Sequence, residues 1–254
     1  MWICTQAFHT PKRGNAESEY EDAFYPERMF RTDLSEFYCA VADGASESVY
    51  SGEWARLLAR GYCRRGLSLK RLQRTWLRLV GRRPAPWYLE AKIRRGAHAA
   101  LVGLALRDGE PSQSFGGSWD VVAVGDSCFF HVRAGELLTV APISTSAGFD
   151  NSPHLISTDA TDSFGLDANR VKVLSGEWRP RDAFYLATDA LAQWTLAELE
   201  AGRAPWPLFR GLYPSTNNGR GGGGSRSFKE VVAELREKGA LRNDDTTLLR
   251  VEVA

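Results

Sequence analysis

The sequence predicts an α+β domain built on antiparallel sheets. Short apolar runs of strand length recur from the first residues to the last, and turns containing glycine or aspartate separate them. Apolar residues at helical spacing are confined to a few grouped segments and do not follow each strand in turn. This order favours antiparallel sheets with packed helices over a parallel α/β sheet. We expect one domain over residues 1–254.

The composition is ordinary for a soluble globular protein. Hydrophobic residues make up 43% and charged residues 25%, and the formal net charge of +1 gives no global signal for nucleic-acid binding. No apolar run reaches the roughly 18 residues of a membrane span, and the first residues do not resemble a secretion signal. The four cysteines form no CxxC pair, which disfavours zinc and disulfides. We expect a cytoplasmic protein, with a monomer as the expected state.

The first 98 residues predict three strands and then three helices. Expected strands lie at 2–9, 23–25 and 36–42. Expected helices lie at 51–60, 67–82 and 87–98. Ser51 can cap the first helix, and apolar residues among arginines give the second an amphipathic face. Pro84 and Pro86 separate the second helix from the third.

The remainder predicts further strands and two helices. Expected strands lie at 99–106, 119–125, 128–133, 136–141, 170–174, 183–188 and 246–253. One helix is expected after Asp189 and another at 228–239, whereas residues 141–169 have an irregular pattern. Residues 203–227 lose all periodicity, and their glycine-rich part has the composition of a flexible loop or an engineered linker.

Carboxylates recur where predicted strands end or begin. The acids are Asp43, Asp126 and Asp189 after strands, and Asp244 with Asp245 before the last strand. Glu21 and Asp22 precede a further short strand. A single aspartate beside a strand is ordinarily a turn former or a helix cap. Repetition at four strand ends instead predicts one site that the fold assembles.

The residue types predict which ligand such a site would take. Several carboxylates held together repel each other, so the cluster needs protons or cations. Oxygen ligands without histidine or cysteine favour hard cations, Mg²⁺ or Mn²⁺, over Zn²⁺. Two such ions about 3.5–4 Å apart, bridged by a carboxylate, permit in-line attack of a metal-activated water on phosphorus. The residues therefore predict a binuclear metallohydrolase that acts on a phosphoester.

Five short motifs stand in a fixed order along the chain. They are Glu21-Asp22-Ala23, Val41-Ala42-Asp43-Gly44, Val124-Gly125-Asp126-Ser127, Ala187-Thr188-Asp189-Ala190-Leu191 and Asp244-Asp245-Thr246-Thr247. This order resembles the metal-dependent serine/threonine protein phosphatases of type 2C, over residues 21–253. The resemblance implies a four-layer αββα sandwich, in which helices flank two antiparallel β-sheets and the metal cluster lies at one end of the sheets.

The resemblance also implies which residues hold the two main ions, Mn²⁺ or Mg²⁺. Asp43 would bridge both ions. Asp189 and Asp244 would hold the first ion. Glu21 and the Gly44 carbonyl would complete the coordination of the second.

Three further acids have supporting roles in this resemblance. Asp126, together with Asp189, would hold a third and weaker ion. Asp22 and Asp245 would orient the ligands from behind, a kind of support that commonly changes metal affinity. Asp244 is preferred over Asp245 as a ligand because the threonine of the motif follows it by three residues. Asp245 stands where many members of the family carry asparagine.

Two departures from the family pattern concern substrate binding. Many members continue the Asp-Gly pair with His-Gly-Gly or Met-Gly-Gly, whereas this chain continues with 45–48, Ala-Ser-Glu-Ser. A general-acid histidine is therefore missing there, and metal-bound water would protonate the leaving group. Glu17 stands where an arginine usually binds the substrate phosphate. Lys12 or Arg13, in the adjoining loop, is the substitute we consider.

Two other groups of residues receive structural interpretations. The histidines His9, His98, His131 and His154 share no ligand spacing, and we expect them at the surface or in packing. Arginines crowd residues 60–95, where the solvated face of two helices is the favoured interpretation. The alternative is that these arginines dock an acidic or phosphorylated protein. Binding of nucleic acid is less favoured, because no aromatic residues for base stacking accompany the positive charge.

The expected activity is hydrolysis of phosphoserine or phosphothreonine in proteins at a binuclear Mg²⁺ or Mn²⁺ centre. A phosphorylated protein is the expected substrate, and a serine/threonine kinase is considered as a partner. Two alternatives stay open. One is a catalytically weak or inactive metal-binding scaffold that recognises a phosphoprotein or a partner kinase, and the other is a phosphatase for small molecules.

Overall fold

The structure is a computed structural model that describes residues 1–254 except 29, 65–67, 84–86, 110–115, 151, 160–169 and 214–225. The first seven strands are β1 (Trp2–Thr10), β2 (Ala23–Tyr25), β3 (Phe30–Asp33), β4 (Glu36–Gly44), β5 (His98–Asp108), β6 (Gly117–Val124) and β7 (Cys128–Arg133). They continue with β8 (Glu136–Ala141), β9 (Ile156–Ser157), β10 (Lys172–Trp178), β11 (Ala183–Ala187), β12 (Leu212–Tyr213), β13 (Arg226–Ser227) and β14 (Thr246–Val253). The helices are α1 (Ser51–Cys63), α2 (Leu69–Val80), α3 (Trp87–Arg95), α4 (Asp189–Glu200), α5 (Trp206–Arg210) and α6 (Phe228–Glu237).

Most strands form two antiparallel sheets. The first sheet has the order β3-β1-β14-β11-β7-β8, and the second has the order β10-β6-β5-β4-β2 with β9 paired to β5. Each pairing within these two sheets is antiparallel, as in the register Asp43 to Ala100 between β4 and β5. A separate parallel pair, β12 with β13, lies outside them.

Side chains of the central strands alternate between two cores. In β4, Cys39 and Val41 belong to the core between the sheets, whereas Ala40 and Ala42 belong to the core beneath α1 and α2. Because both faces are buried, these strands have nearly continuous apolar sequences instead of an apolar and polar alternation. The same alternation in β11 places Phe184 between the sheets.

Helices cover the outer face of each sheet. Trp54 and Leu58 of α1, with Trp76 of α2, pack on the second sheet. Leu191 of α4, together with residues of α5 and α6, packs on the first sheet around Tyr185. The layers are therefore helix, sheet, sheet and helix, which confirms the αββα sandwich that the resemblance implied.

Several details differ from the sequence expectation, among them β10, which runs to Trp178 beyond the expected end at 174. β4 continues through Asp43 to Gly44, although an Asp-Gly pair usually forms a turn. β3 was not predicted, because its Phe30–Asp33 segment is short and only half-buried. The segment 203–227, expected to have no regular structure, contains α5 and β12. Trp206 of α5 is buried. A five-residue helix is too short to show periodicity.

Some expectations fall outside the part of the chain that the structure describes. These are the glycine-rich stretch of 214–225 and the break at 84–86. Among the described residues, no helix is long and apolar enough to cross a membrane.

Candidate metal centre

Three of the expected ligands converge at one end of the sandwich. One carboxylate oxygen each from Asp43, Asp126 and Asp189 lies within 4.8 Å of the others. Asp43 comes from the second sheet, Asp126 lies in the turn that leads from β6 to β7, and Asp189 follows β11 of the first sheet. The two sheets therefore assemble the site between them, as the recurrence of acids at strand ends predicted.

Local backbone geometry holds two of these acids in place. Asp189 is the first residue of α4, and its Oδ1 accepts a hydrogen bond from the Ala190 nitrogen. A carboxylate there is also favoured by the partial positive charge at the helix amino terminus. Gly125, immediately before Asp126, has a φ of 93°, a left-handed conformation that glycine adopts most easily.

Gly44 allows three chain segments to meet beside Asp43. A Cβ atom on Gly44 would lie 2.8 Å from the Glu21 carbonyl oxygen and 2.8 Å from the Ser51 carbonyl carbon. Both neighbours are backbone atoms, so neither can rotate away. The glycine is required here for the close approach of backbone atoms and not for a turn, since both Asp43 and Gly44 belong to β4.

The Glu21 carboxylate is held beside this junction by two other residues. Ser51 Oγ donates a hydrogen bond to Glu21 Oε1 at 2.5 Å, and Lys12 Nζ lies 3.9 Å from Glu21 Oε2. Ser51 was expected to cap α1, but the residue at the cap position is Tyr50, which has a φ of 61°. The Ser51 hydroxyl therefore donates its hydrogen bond to the Glu21 carboxylate and not to the first turn of α1.

Asp22 and Asp245 lie behind the cluster. Asp245 Oδ2 accepts the Glu21 nitrogen at 2.7 Å, and its Oδ1 accepts the Lys12 nitrogen at 2.8 Å. Asp22 Oδ2 accepts Thr247 Oγ1 at 2.6 Å, whereas its Oδ1 is buried without a hydrogen-bond partner. Both acids thus connect the Glu21 segment to the start of β14.

Asp244 lies at the open side of the cluster, where an arginine accompanies it. The Arg242 guanidinium contacts Asp189 Oδ2 and lies 3.7 Å from Asp244 Oδ2. The Asp244 carbonyl accepts a hydrogen bond from Arg236 Nη2, and Arg236 Nη1 donates to the Pro11 carbonyl at 3.0 Å. The loop before β14 is therefore fixed by its backbone, and Arg242 projects a positive charge into the site.

The carboxyl groups affect each other's protonation. Burial, followed by the charges of Asp22 and Asp189, raises the pKa of Asp43 well above its usual range. Burial, followed by the charge of Asp189, raises the pKa of Asp126 to about 7. Burial also raises the pKa of Asp189, although Arg242 acts in the opposite direction. In the absence of cations, this site therefore retains protons close to neutral pH.

The donor set fits divalent cations. The three converging groups are oxygen ligands, and a cation would relieve the repulsion that raises their pKa values. The unpartnered Asp22 Oδ1 adds a buried acceptor behind them. The arrangement suits a hard cation better than Zn²⁺, because histidine and cysteine are absent from the cluster of described residues.

Of the two residues considered for phosphate binding, Lys12 has its side chain beside the acids. Lys12 Nζ is 3.1 Å from Ser46 Oγ, and so lies between the 45–48 loop and Glu21. Arg13 is exposed, and its backbone nitrogen donates to Asn243 Oδ1 at 2.7 Å. Glu17 does not line the cleft that these acids face and pairs with Lys229 Nζ of α6 at 2.5 Å.

The acids open into a cleft of about 620 Å³ that also contains residues the sequence did not identify. Arg242, His98 and Asp150 line it. His98, expected in packing or at the surface, has its Nδ1 3.4 Å from Ser48 Oγ. The sequence pointed to neither His98 nor Asp150 as a residue of the site, whereas Arg242 lies two residues before Asp244 of the last motif. His98 reaches the cleft because β5 pairs with β4, and one sequence does not reveal strand pairing.

Comparison with known proteins shows that solved phosphatase structures have a similar fold. No family model matches the chain, and no curated protein matches its sequence. The Mycobacterium tuberculosis serine/threonine phosphatase PstP/Ppp is similar in structure, with a TM-score of 0.54 at 16% identity over 100% of this chain and 99% of that one. The photosystem II phosphatase PBCP has a TM-score of 0.52 at 14% identity, over 99% of both chains.

A third similar structure comes from another mycobacterium. The PPM Ser-Thr phosphatase MsPP from Mycobacterium smegmatis, in complex with cacodylate, has a TM-score of 0.51 at 16% identity, over 99% of this chain and 98% of that one. These three phosphatases thus share this architecture along nearly their whole length. The likeness confirms the resemblance at the level of the fold.

Proposed function

We propose that the chain is a metal-dependent phosphatase that hydrolyses phosphoserine or phosphothreonine in proteins. The observation that carries this proposal is the convergence of Asp43, Asp126 and Asp189 within 4.8 Å at the end of the sandwich. Charged groups that are largely buried cost free energy unless they are paired, so a cluster of like charges calls for a cation. The phosphatase fold supports phosphoesters as the substrate class.

Two Mn²⁺ or Mg²⁺ ions would be held by the residues that the motifs identify. Asp43 would lie between the ions, with Asp189 and Asp244 on one side and Glu21 and the Gly44 carbonyl on the other. Asp126 with Asp189 would hold a third, weaker ion. When bound, such ions polarise a phosphoryl group and lower the pKa of water, which makes a nucleophile available without a covalent phosphoenzyme.

The remaining residues of the site position these ligands and the substrate. Asp245 fixes the backbone of Glu21, and Asp22 anchors the same segment to Thr247. The Lys12 side chain lies beside Ser46 of the 45–48 loop, where a cation can contact a substrate phosphate, and Arg13 follows it at an exposed position. The cleft is open, which suits a phosphorylated protein loop, and a serine/threonine kinase is the partner class that we propose.

The activity can be tested directly. Purified protein with Mn²⁺ should hydrolyse p-nitrophenyl phosphate and a phosphothreonine peptide. EDTA should abolish turnover, and so should Asp43→Asn, because the bridging carboxylate is lost. Glu237→Gln, on the exposed end of α6, is the matched control and should retain wild-type activity. Turnover that survives EDTA or Asp43→Asn would contradict the mechanism.

A second candidate function is a metal-binding scaffold with little or no catalysis. Two observations favour it: Glu17 replaces the usual phosphate-binding arginine, and it pairs with Lys229 away from the cleft. The scaffold would bind a phosphoprotein or a partner kinase through the same cleft. Mn²⁺ binding by calorimetry together with no turnover on a phosphopeptide library would support this candidate over the phosphatase.

A further inference from the structure

Arg242 places a permanent positive charge inside the acid cluster. Its guanidinium contacts Asp189 Oδ2, lies 3.7 Å from Asp244 Oδ2, and is close enough to act on the charge of Asp126. Among the described residues that line the cleft, it is the one arginine or lysine. The guanidinium therefore partly balances the acids when no metal is present.

The backbone around Arg242 is anchored, so its side chain is the part that can move. Asn243 Oδ1 accepts the Arg13 nitrogen at 2.7 Å, and Arg236 binds the Asp244 carbonyl. Leu241, on the other side, is buried. The Arg242 side chain itself is 40% exposed and lies at the cleft surface. A long, flexible side chain on a fixed loop can change partners without disturbing the fold.

A cation bound to Asp189 and Asp244 would compete with the present position of the Arg242 guanidinium. Asp189 and Asp244 are expected ligands of the same ion, and the guanidinium contacts both of their carboxylates. A divalent cation there would repel the guanidinium at short range. The side chain would then turn towards the open cleft, where a substrate phosphate must lie to reach the metals. A planar guanidinium binds phosphate oxygens in a bidentate fashion.

We propose that Arg242 is the residue that binds the substrate phosphate in this protein, and that it alternates between two partners. Without metal it pairs with Asp189 and Asp244, and with metal bound it contacts the phosphate. It thereby takes the place of the arginine that Glu17 replaces. This proposal rests on the proposed phosphatase function for its substrate, and its test uses binding as well as turnover.

The first measurement is phosphate affinity. Calorimetric titration of the Mn²⁺-loaded protein with inorganic phosphate should give a Kd at least about tenfold higher for Arg242→Gln than for wild type, since a charge-assisted bidentate contact is lost. Arg242→Lys should recover part of the affinity because it retains the charge but not the fork. Arg13→Gln and Lys12→Gln remove the other two candidates for the phosphate contact, and each should raise the Kd less than Arg242→Gln does.

The second measurement is Mn²⁺ affinity of the metal-free protein. Arg242→Gln should bind Mn²⁺ several-fold more tightly, because the competing guanidinium is gone. Tighter Mn²⁺ binding with unchanged phosphate affinity would overturn the proposal and leave Arg242 as a counter-ion only. A larger loss of phosphate affinity in Lys12→Gln or Arg13→Gln would also overturn it.

The outcome is separable from that of the proposed function. Phosphate binding that depends on Arg242, in a protein without turnover, would support this proposal and contradict the phosphatase. Turnover with an unchanged KM in Arg242→Gln would support the phosphatase and contradict this proposal.

Discussion

The carboxylate of Asp245 binds the backbone nitrogen of Glu21, at 2.7 Å from Oδ2. Its other oxygen accepts the Lys12 nitrogen at 2.8 Å, so both oxygens serve as acceptors for backbone donors. An asparagine offers one acceptor oxygen and could satisfy one of these donors but not both. The aspartate at this position therefore joins the Lys12 and Glu21 segments to the start of β14. The need for two acceptor oxygens favours aspartate over asparagine here.

Asp245→Asn should weaken the metal site through Glu21. We expect Mn²⁺ affinity to fall by about tenfold, the lower range for residues that support metal ligands. The free energy of unfolding should fall by about 1–2 kcal/mol, since one partly buried backbone donor loses its partner. Calorimetric titration with Mn²⁺ and urea unfolding would measure the two effects. Asp33→Asn, at an exposed position of β3, is the control, and equal Mn²⁺ affinity in both variants would contradict the role of Asp245.

Gly44→Ala should disturb the junction beside Asp43. The new Cβ would lie 2.8 Å from the Glu21 carbonyl oxygen, and backbone atoms cannot move aside without displacing the ligand segments. We expect the free energy of unfolding to fall by about 1–3 kcal/mol and Mn²⁺ affinity to fall with it. Thermal unfolding with and without Mn²⁺ would measure both.

Gly211→Ala is the matched control for that substitution. Its Cβ would meet the Pro207 oxygen at 3.5 Å, an ordinary contact, and its φ of −79° suits alanine. This variant should keep wild-type stability and Mn²⁺ affinity. If Gly44→Ala behaves like Gly211→Ala, close approach at Gly44 does not matter for the site.

The metal-free protein should become less stable as the pH rises from about 4 to about 7. Asp126 has a pKa raised to about 7 by burial and by Asp189, from a usual value of 3.8. Within this range the folded state holds a proton that the unfolded chain has released, so the free energy of unfolding falls with increasing pH. For Asp126 alone the total is at most about 4 kcal/mol, since one pKa unit corresponds to about 1.4 kcal/mol.

Comparison with Asp126→Asn isolates this effect. Burial lowers the pKa of His131 and of His9, which acts in the opposite direction below about pH 6.5 in both proteins. Urea unfolding in EDTA at several pH values should show a shallower fall for Asp126→Asn than for wild type. Saturating Mn²⁺ should remove the fall in wild type at neutral pH, and parallel curves in EDTA would contradict the assignment.

The fold and the acids were predictable from the sequence for a physical reason. Strands buried on both faces have continuous apolar sequences, and acids at their ends interrupt them sharply. The runs before Asp43 and Asp189 are both of this kind. In an antiparallel sheet every second strand ends at the same edge, so β4 and β6, which flank β5, bring Asp43 and Asp126 to one edge of the second sheet. β14 is antiparallel to β11, so the start of β14 lies beside the end of β11, which Asp189 follows.

The partners of these acids were not predictable in the same way. Ser51 binds Glu21 and not the end of its helix, and Arg242 reaches Asp189, which lies 53 positions earlier in the chain. Such contacts depend on which loops meet across the sandwich. A single sequence gives the residue types but not the pairing of loops, so the site's electrostatics emerged only from the structure.

Two aspartates at opposite ends of β11 should respond to substitution in opposite ways. Asp182 precedes the strand and is fully buried, where it accepts His131 Nε2 at 2.8 Å and Arg133 Nη2 at 2.7 Å. Asp182→Asn should lower the free energy of unfolding by about 3 kcal/mol, because it breaks a buried ion pair, and should leave Mn²⁺ affinity unchanged. The five residues of β11 span about 16 Å, so Asp182 cannot reach the cleft.

Asp189→Asn should give the reverse pattern. Burial raises the pKa of Asp189 in spite of Arg242, so the folded state disfavours its charge when metal is absent. Removing that charge should not lower the stability of the metal-free protein, whereas Mn²⁺ affinity should fall by more than tenfold because an expected ligand is lost. Urea unfolding in EDTA and calorimetric titration with Mn²⁺ would compare the two variants. Loss of stability without loss of Mn²⁺ affinity in Asp189→Asn would mean that this end of β11 is structural and that the metal centre is elsewhere.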